Sequence, residues 1–258
     1  MNLDRPDVGE KLGILAGAWL APITAALSAT RQARMFHPDG LVLRATVEPC
    51  AAQPDLTALA ERLAGGALVR FSSALWRGRH EWPDVLGAAI RFGWSGAGSN
   101  AGAEQDLLLA TIRFPWTMPF APLATNFRSY LWNHYHAVSP FQVAGVGRVK
   151  LRLRSPRLGN GGSRSRARHL LEAVDEHRAG FELQLRRLAA PRLARKWEPV
   201  ARLQLEAPLN VDQAALRFSP FRAGAGIEPV GFVHALRIAA YAASQEARPT
   251  HEARAPGV

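Results

Sequence analysis

The sequence has very little cysteine: Cys50 is the only one among 258 residues. A single thiol builds neither a disulfide framework nor a cysteine-based zinc site, and it leaves the redox compartment open. Lysine is almost as scarce, with Lys11, Lys150 and Lys196 alone, so arginine supplies nearly all the positive charge. Hydrophobic residues make up 48% of the chain and charged residues 21%, which excludes a disordered chain and supports a sizeable core.

The net charge of +11 raises nucleic acid as a partner. The arginines are spread along the chain, however, and we expect no nucleic-acid binding. The basic loop with Arg164, Arg166 and Arg168 could instead bind nucleic acid or an anionic membrane. We favour the interpretation that these charges are simply solvated. Scattered guanidinium groups suit bidentate capture of carboxylates or phosphates.

Residues 12–29, "LGILAGAWLAPITAALSA", carry no charge over 18 positions, which is the short limit for a membrane span. The small residues of "ALSA" would also suit cleavage of a secretory signal. We favour a packed N-terminal helix within residues 1–30, because Arg31 and Arg34 follow at once and belong to the candidate site. This predicts a cytoplasmic protein without stable membrane insertion. A periplasmic or membrane-associated location through residues 12–29 is the alternative.

Most of the chain has the pattern of strands. Seven segments have strand composition or alternate apolar and polar residues: 41–49, 67–76, 85–94, 106–116, 145–156, 181–189 and 200–208. Helices are predicted at 5–33, 56–66, 120–138, 169–180 and 230–248. Because strands and helices do not alternate regularly, we predict an α+β fold: a largely antiparallel barrel of about eight strands with flanking helices. Residues 31–250 would form this single domain and 251–258 a flexible tail.

The C-terminal segment "RIAAYAASQEAR" places four polar side chains on one side of a predicted helix. Arg237, Tyr241, Ser244 and Arg248 fall within roughly 60° of arc on a helical wheel. A guanidinium one turn from a phenol favours the phenolate form. A phenolate is a hard anionic ligand, and tyrosine is one of the few side chains that bind haem iron axially, so Tyr241 is a candidate ligand. On spacing alone, however, a helix that packs Tyr241 with its hydroxyl at the surface is favoured.

Two further segments carry candidate site residues. In "RQARMFHPDG", His37 lies three residues after Arg34 and just before a Pro-Asp-Gly turn. In "VRFSS", Arg70 and Ser72 alternate on a predicted strand and therefore share a face. Directed into a barrel, an arginine and a hydroxyl need partners. A ligand with carboxylates would be met by Arg34, Arg70 and Arg248.

Taken in order, these segments resemble the haem catalases, and in particular short, catalase-related haem proteins with the same barrel. The resemblance runs from about residue 31 to residue 248. "RMFHPDG" has the family's Arg-x-x-His before a glycine turn, and "ALVRFSS" is similar to its Val-Arg-Phe-Ser segment. Three later parts of the sequence resemble further blocks of the family: "DVLGAAIRFGW", "VSPFQVAGVGRVKLRLRSP", and "ALRFSPF" with "PVGFVHALRIAAY". "RIAAYAASQEAR" has its Arg-x-x-x-Tyr followed by an arginine seven residues on.

The resemblance implies a haem b oxidoreductase of the catalase or peroxidase type that acts on hydrogen peroxide or an organic hydroperoxide. Tyr241 would be the proximal iron ligand, held as phenolate by Arg237. His37 would be the distal acid–base group, and Ser72 would orient it. The haem propionates would be neutralised by three arginines: Arg34, Arg70 and Arg248. A homo-oligomer is compatible with the sequence, which does not fix the oligomeric state.

One departure from the family concerns the distal asparagine. "DLLLATIRF" has Leu109, Ala110 and Thr111 where the family has this amide, and Thr111 supplies only a hydroxyl for positioning peroxide. Dismutation of peroxide therefore stays open beside peroxidase, peroxygenase or hydroperoxide-rearranging activity. The alternative is a protein of the same fold without peroxide turnover, which binds a lipid or another small molecule.

Overall fold

A computed structural model describes residues 40–74, 81–96, 103–114, 117, 120–159, 165–191, 195–211, 216, 218, 219 and 221–230. These residues belong to one compact unit, Phe36–Val230. The predicted helix at 5–33 and all but the first residue of the predicted helix at 230–248 lie outside them, so both stay predictions. The same holds for the predicted domain boundaries.

The described residues form ten strands and three helices. The strands are β1 (Gly40–Pro49), β2 (Gly65–Ser73), β3 (Leu86–Phe92), β4 (Gln105–Ala110), β5 (Tyr135–His136), β6 (Phe141–Val143), β7 (Gly147–Arg154), β8 (Gly180–Arg187), β9 (Glu198–Pro208) and β10 (Ile227–Pro229). The helices are α1 (Pro54–Leu63), α2 (Ala121–Ala124) and α3 (Arg166–Asp175). Each of the seven predicted strand segments overlaps an observed strand.

Eight of the strands close into an antiparallel barrel. The sheet order is β10-β6-β7-β5-β4-β3-β2-β1-β9-β8. Strand β7 also pairs with β8, which closes the strands from β7 to β8 into a ring. Strands β6 and β10 extend the sheet outside this ring. The predicted α+β fold with a closed barrel is confirmed, and closure removes the free edges of the eight ring strands.

The barrel interior is filled by alternate residues of the strands. On β7, Val149, Leu151 and Leu153 are buried in the main apolar cluster, while the basic residues between them point outward. Phe71 contacts the rings of Tyr130, Tyr135 and Phe181 inside the same cluster, with ring centroids 5.4–5.6 Å apart. The interior is therefore a packed core, as small barrels usually have.

Two helices cover parts of this core. Helix α1 begins with Pro54 in its first turn, where proline is well tolerated, and it buries Leu56, Leu59 and Leu63. Helix α3 begins after Ser165, whose side chain accepts a hydrogen bond from the backbone N–H of Arg168. Among the described residues, no helix has the length and hydrophobicity needed to span a bilayer.

The predicted helix at 120–138 is wrong over most of its length. Only the short helix α2 forms, and turns and strand β5 follow it. The side chain of Asn133 accepts a hydrogen bond from the backbone N–H of Asn126 and donates to the carbonyls of Asn126 and Ser129. These bonds satisfy backbone groups locally without a helix, which is how asparagine side chains compete with helical hydrogen bonding.

Candidate outer-wall site

Arg70 and Ser72 lie on the outer face of the barrel wall. Their neighbours on β2, Val69 and Phe71, point into the interior cluster, whereas Leu68 belongs to a second, external cluster. Because successive side chains of a strand alternate, Arg70 and Ser72 share the face of Leu68. The expectation that they point into the barrel is therefore wrong. Both are nonetheless buried, at 5% and 3% exposure.

Glycine at position 40 makes room for the Arg70 side chain. A Cβ added to Gly40 would lie 2.7 Å from Arg70 Nε, 2.8 Å from Arg70 Cζ and 2.8 Å from the Phe71 carbonyl oxygen. Such distances are too short for real contacts. The guanidinium thus lies against the bare backbone of β1, and no larger residue fits there without moving backbone.

Small residues continue this outer wall across four strands. Ser72 pairs with Gly40 of β1 on one side and with Gly87 of β3 on the other, and Gly87 pairs with Ala110 of β4. In the next row, Arg70 pairs with Val42 and Ala89. Few side-chain atoms therefore protrude from the outer wall around Ser72, and the buried guanidinium of Arg70 lies beside it.

Thr111 follows directly after β4 and is engaged in hydrogen bonds within the protein. Its Oγ1 accepts from the backbone N–H of Leu86 at 3.1 Å and lies 2.8 Å from the Thr125 hydroxyl. The two preceding residues offer no amide either, since Leu109 points into the barrel core and Ala110 carries a methyl group. Residues 109–111 therefore supply a hydroxyl but no carboxamide.

The other predicted site residues lie outside the described residues, so their roles stay predictions. They are Arg34, His37, Arg237, Tyr241 and Arg248. His37 precedes Gly40 by three positions along the chain, and Gly40 pairs with Ser72. The chain thus reaches the outer wall beside Ser72 shortly after His37.

A buried ion cluster on the same outer face was not predicted from the sequence. Arg91 of β3 makes two hydrogen bonds to Asp106 of β4, at 2.9 and 3.0 Å. Arg222 lies 2.9 Å from Glu104, and the backbone N–H of Ser219 donates to Asp106. The cluster joins Ser219 and Arg222 to residues at the start of β4. Burial alone would lower the pKa of Arg91, but the hydrogen bonds and charge of Asp106 raise it above its ordinary value.

The interpretation of the basic loop as a solvated charge run is wrong for Arg166. This side chain is 6% exposed, donates a hydrogen bond to the Phe127 carbonyl and lies 5.5 Å from the centre of the Tyr130 ring. Arg166 thus belongs to the fold at the start of α3. Arg168 is exposed, and Arg164 lies outside the described residues.

The barrel is similar to those of solved catalases. A fungal catalase matches with a TM-score of 0.56 at 16% identity, over 86% of this chain and 61% of its own. Catalase A from Saccharomyces cerevisiae matches with a TM-score of 0.59 at 14% identity, over 86% of this chain and 63% of its own. The chain thus spans about three fifths of the length of either catalase. No family model matches the sequence, and neither does any curated protein. The fold is catalase-like.

Proposed function

We propose that this chain, built on a catalase-like barrel, is a haem-dependent oxidoreductase that acts on hydrogen peroxide or organic hydroperoxides. The main support is the outer wall around Ser72, where a buried arginine and a buried hydroxyl stand beside a flat row of small residues. A flat macrocycle with carboxylates suits such a wall. The order of the sequence segments that resemble catalases supports the same reading.

The described residues fit one edge of a haem. Arg70 offers a planar, permanently charged fork, and a carboxylate is the partner that this geometry favours. The bare backbone at Gly40 leaves the guanidinium close to the strand, so a carboxylate reaching it would lie near the wall. Arg34 and Arg248 are proposed as further partners of the propionates.

The proximal side is assigned to the polar face of the last predicted helix. Tyr241 is proposed as the iron ligand, and Arg237, one helical turn earlier, lowers the proton affinity of the phenol by its charge. When bound, a phenolate-ligated haem supplies the two-electron chemistry that cleaves the O–O bond of a hydroperoxide.

The distal side is assigned to His37. Its imidazole takes the proton from the inner oxygen of a hydroperoxide and passes it to the outer oxygen, so that the outer oxygen leaves as water or an alcohol. Ser72 holds the ring of His37 in the orientation that this transfer needs. The hydroxyl of Thr111 is the candidate group for positioning the peroxide.

The setting of Thr111 bears on the choice among hydroperoxide reactions. Its hydroxyl accepts from Leu86, and no carboxamide stands where the resemblance places one. This favours a peroxidase, a peroxygenase or a hydroperoxide-rearranging enzyme over rapid dismutation. It also gives the second candidate its support: a catalase-fold protein that binds a lipid or other small molecule without peroxide turnover.

Replacement of the proposed iron ligand tests haem binding. Full-length protein expressed with ample haem should be brown, with a Soret band and a high-spin ferric spectrum. Tyr241→Phe should abolish or greatly weaken that band, because phenylalanine has no oxygen ligand. Tyr130→Phe is the matched control, since Tyr130 is 5% exposed within the barrel core. A colourless wild type, or an unchanged spectrum in Tyr241→Phe, would contradict the proposal.

Replacement of His37 tests the reaction itself. His37→Ala should keep the haem spectrum but lose hydroperoxide consumption by about 10²–10⁴-fold, the usual contribution of a general acid–base group. His177→Asn is the control, because His177 is exposed and has a φ of 55°, which asparagine accepts. Equal turnover by His37→Ala and wild type would exclude the role of His37. Haem binding without any turnover in wild type would instead select the second candidate.

A further inference from the structure

Apolar residues follow the end of β4, and we use the name apolar loop for the described residues 112–114, 117 and 120–124. Its two ends are joined through Thr111 and Thr125, whose hydroxyl oxygens lie 2.8 Å apart. Ile112 and Ala121 anchor it by packing against Val85, at 8% and 3% exposure. The described parts of the loop are thus held against the barrel at both ends.

The loop presents two large hydrophobic side chains to solvent. Phe120 is 68% exposed and Leu123 is 81% exposed, although neighbouring Ala121 is buried. The exposure therefore follows from the way α2 is anchored: one side of its single turn packs on the barrel and the other side faces outward. Neighbouring exposed apolar side chains on an anchored loop mark an interaction surface.

A cationic face adjoins this loop and consists of Arg113, Lys150, Arg152 and Arg186. Lys150 of β7 stands directly opposite Arg186 of β8, and like charges in this position repel. Within the described part of the chain, none of the four forms an ion pair with a carboxylate, and Arg186 Nε is buried without a hydrogen-bond partner. Burial and the charge of Arg186 lower the pKa of Lys150.

Phe114 connects the loop to the cationic face. Its ring centre lies 5.3 Å from Arg113 Cζ and 5.6 Å from Lys150 Nζ. Trp197 is a second aromatic residue of this face. Its ring centre lies 4.2 Å from Arg152 Cζ and 4.9 Å from Arg186 Cζ. The depression among these residues holds only about 10 Å³, so the face is a surface and not a pocket for an organic ligand.

We infer that the apolar loop and the cationic face together dock the protein on an anionic lipid bilayer. Phe120 and Leu123 enter the boundary between headgroups and acyl chains, and Arg113, Lys150 and Arg186 meet lipid phosphates. Anionic leaflets attract basic residues near their surface, and apolar side chains beside them add buried area. The docking is peripheral and does not depend on haem.

The chemistry of the surface favours a bilayer over other occupants. A nucleic acid would neutralise the cations but would give Leu123 nothing to bury against. A second copy of this chain, docked face to face, would bring one cationic face against the other. An anionic bilayer combines negative headgroups with an apolar interior and therefore meets both parts of the surface.

Vesicle flotation with the full-length protein tests the inference. Vesicles of phosphatidylcholine with about one third phosphatidylglycerol should carry the protein upward, and vesicles of phosphatidylcholine alone should carry much less. The double variant Phe120→Ser/Leu123→Ser should bind at least about tenfold more weakly, because apolar burial is lost. Lys150→Gln should weaken binding about fivefold, and added salt should weaken wild-type binding.

Two matched controls separate this surface from the rest of the molecule. Phe221→Ser removes an exposed phenylalanine outside the loop, and Arg168→Gln removes one exposed charge from α3. Both should float like wild type. If circular dichroism shows that the double variant is unfolded, Lys150→Gln decides. Absence of flotation on anionic vesicles, equal flotation of Lys150→Gln and wild type, or loss of flotation in Arg168→Gln alone would overturn the inference. Retention on DNA without vesicle binding would overturn it in favour of a nucleic acid.

Discussion

At the scale of single residues, burial decides what a charge does in this protein. Arg91 and Asp106 are almost completely removed from solvent, with side-chain exposures of 11% and 0%, and they pair through two hydrogen bonds. Arg178 and Glu176 also pair, but their side chains are about half exposed. A guanidinium and a carboxylate therefore pair in both cases, but the Arg91–Asp106 pair is shielded from water and the Arg178–Glu176 pair is not.

Breaking the buried pair should be much more damaging than breaking the exposed pair. Asp106→Asn leaves Arg91 buried with Glu104 at 3.7 Å as its remaining carboxylate. We expect the free energy of unfolding to fall by about 3 kcal/mol, the low end for a buried ion pair that loses one partner. Urea denaturation followed by circular dichroism measures this change.

Glu176→Gln is the control for Asp106→Asn. Exposed ion pairs contribute between about zero and 1 kcal/mol, so this variant should unfold almost like wild type. Equal losses in the two variants would show that burial of the Arg91–Asp106 pair does not control its contribution.

Residue types predicted the candidate site better than residue orientations did. The sequence "VRFSS" identified two polar side chains on one face of a strand, and both are buried together. It did not indicate which face, because a strand with polar and apolar residues on alternate positions fits a barrel in either register. Val69 and Phe71 determine the choice, since they lie in the interior cluster, where Phe71 contacts the rings of Tyr130 and Phe181.

At the scale of elements, the wall of β5, β7 and β8 collects positive charge. His136 of β5 pairs with Arg152 of β7, and its ring lies 6.3 Å from that of Trp197. Burial is the main reason that the pKa of His136 falls from 6.5 to about 4, and Arg152, His134, Arg113 and Lys150 lower it further. The imidazole is thus held neutral in the folded state.

This element predicts a loss of stability in mild acid. Between about pH 6.5 and about pH 4, the unfolded chain binds a proton at His136 that the folded chain does not. The free energy of unfolding should therefore decrease as the pH falls through this window. Urea midpoints at about pH 7 and about pH 5 measure the decrease.

The variant His136→Phe should reduce that dependence, because it keeps a ring beside Trp197 and removes the titrating group. Wild type measured beside His136→Phe at both pH values is the reference for this comparison. The same slope in His136→Phe and in wild type would assign the pH dependence to other groups, of which His134 is the nearest candidate because its pKa is also lowered to about 4.

The elements also show where local sequence patterns mislead. The segment 120–138 is rich in aromatic and apolar residues and contains good helix formers, yet only α2 is helical. Hydrogen bonds from Asn133 and from the Tyr135 hydroxyl to nearby carbonyls hold the turns instead. These contacts join residues four to seven positions apart and depend on the surrounding barrel, so an apolar pattern cannot indicate them.

At the scale of the whole molecule, the closed barrel could be predicted from the sequence, but the short strands and the cationic face could not. Seven strand segments without helix alternation favour a closed antiparallel sheet, and the pairing of β7 with β8 completes it. The short strands β5, β6 and β10 were not predicted, because two or three residues give too little alternation to recognise. Likewise, the cationic face combines Arg113, Lys150, Arg152 and Arg186, which are far apart in the sequence and come together only in the folded barrel.

The packed interior has a consequence for what the protein accommodates. Since side chains occupy the bore of the barrel, its diameter sets no limit on the size of a substrate or cofactor. Under the proposed function, ligand selectivity resides on the exterior of β1 to β4, where residues can change while the packed interior keeps its volume. Under the proposed function, a substitution at Ser72 therefore changes the ligand-facing wall without rebuilding the core, whereas any larger residue at Gly40 would also move backbone.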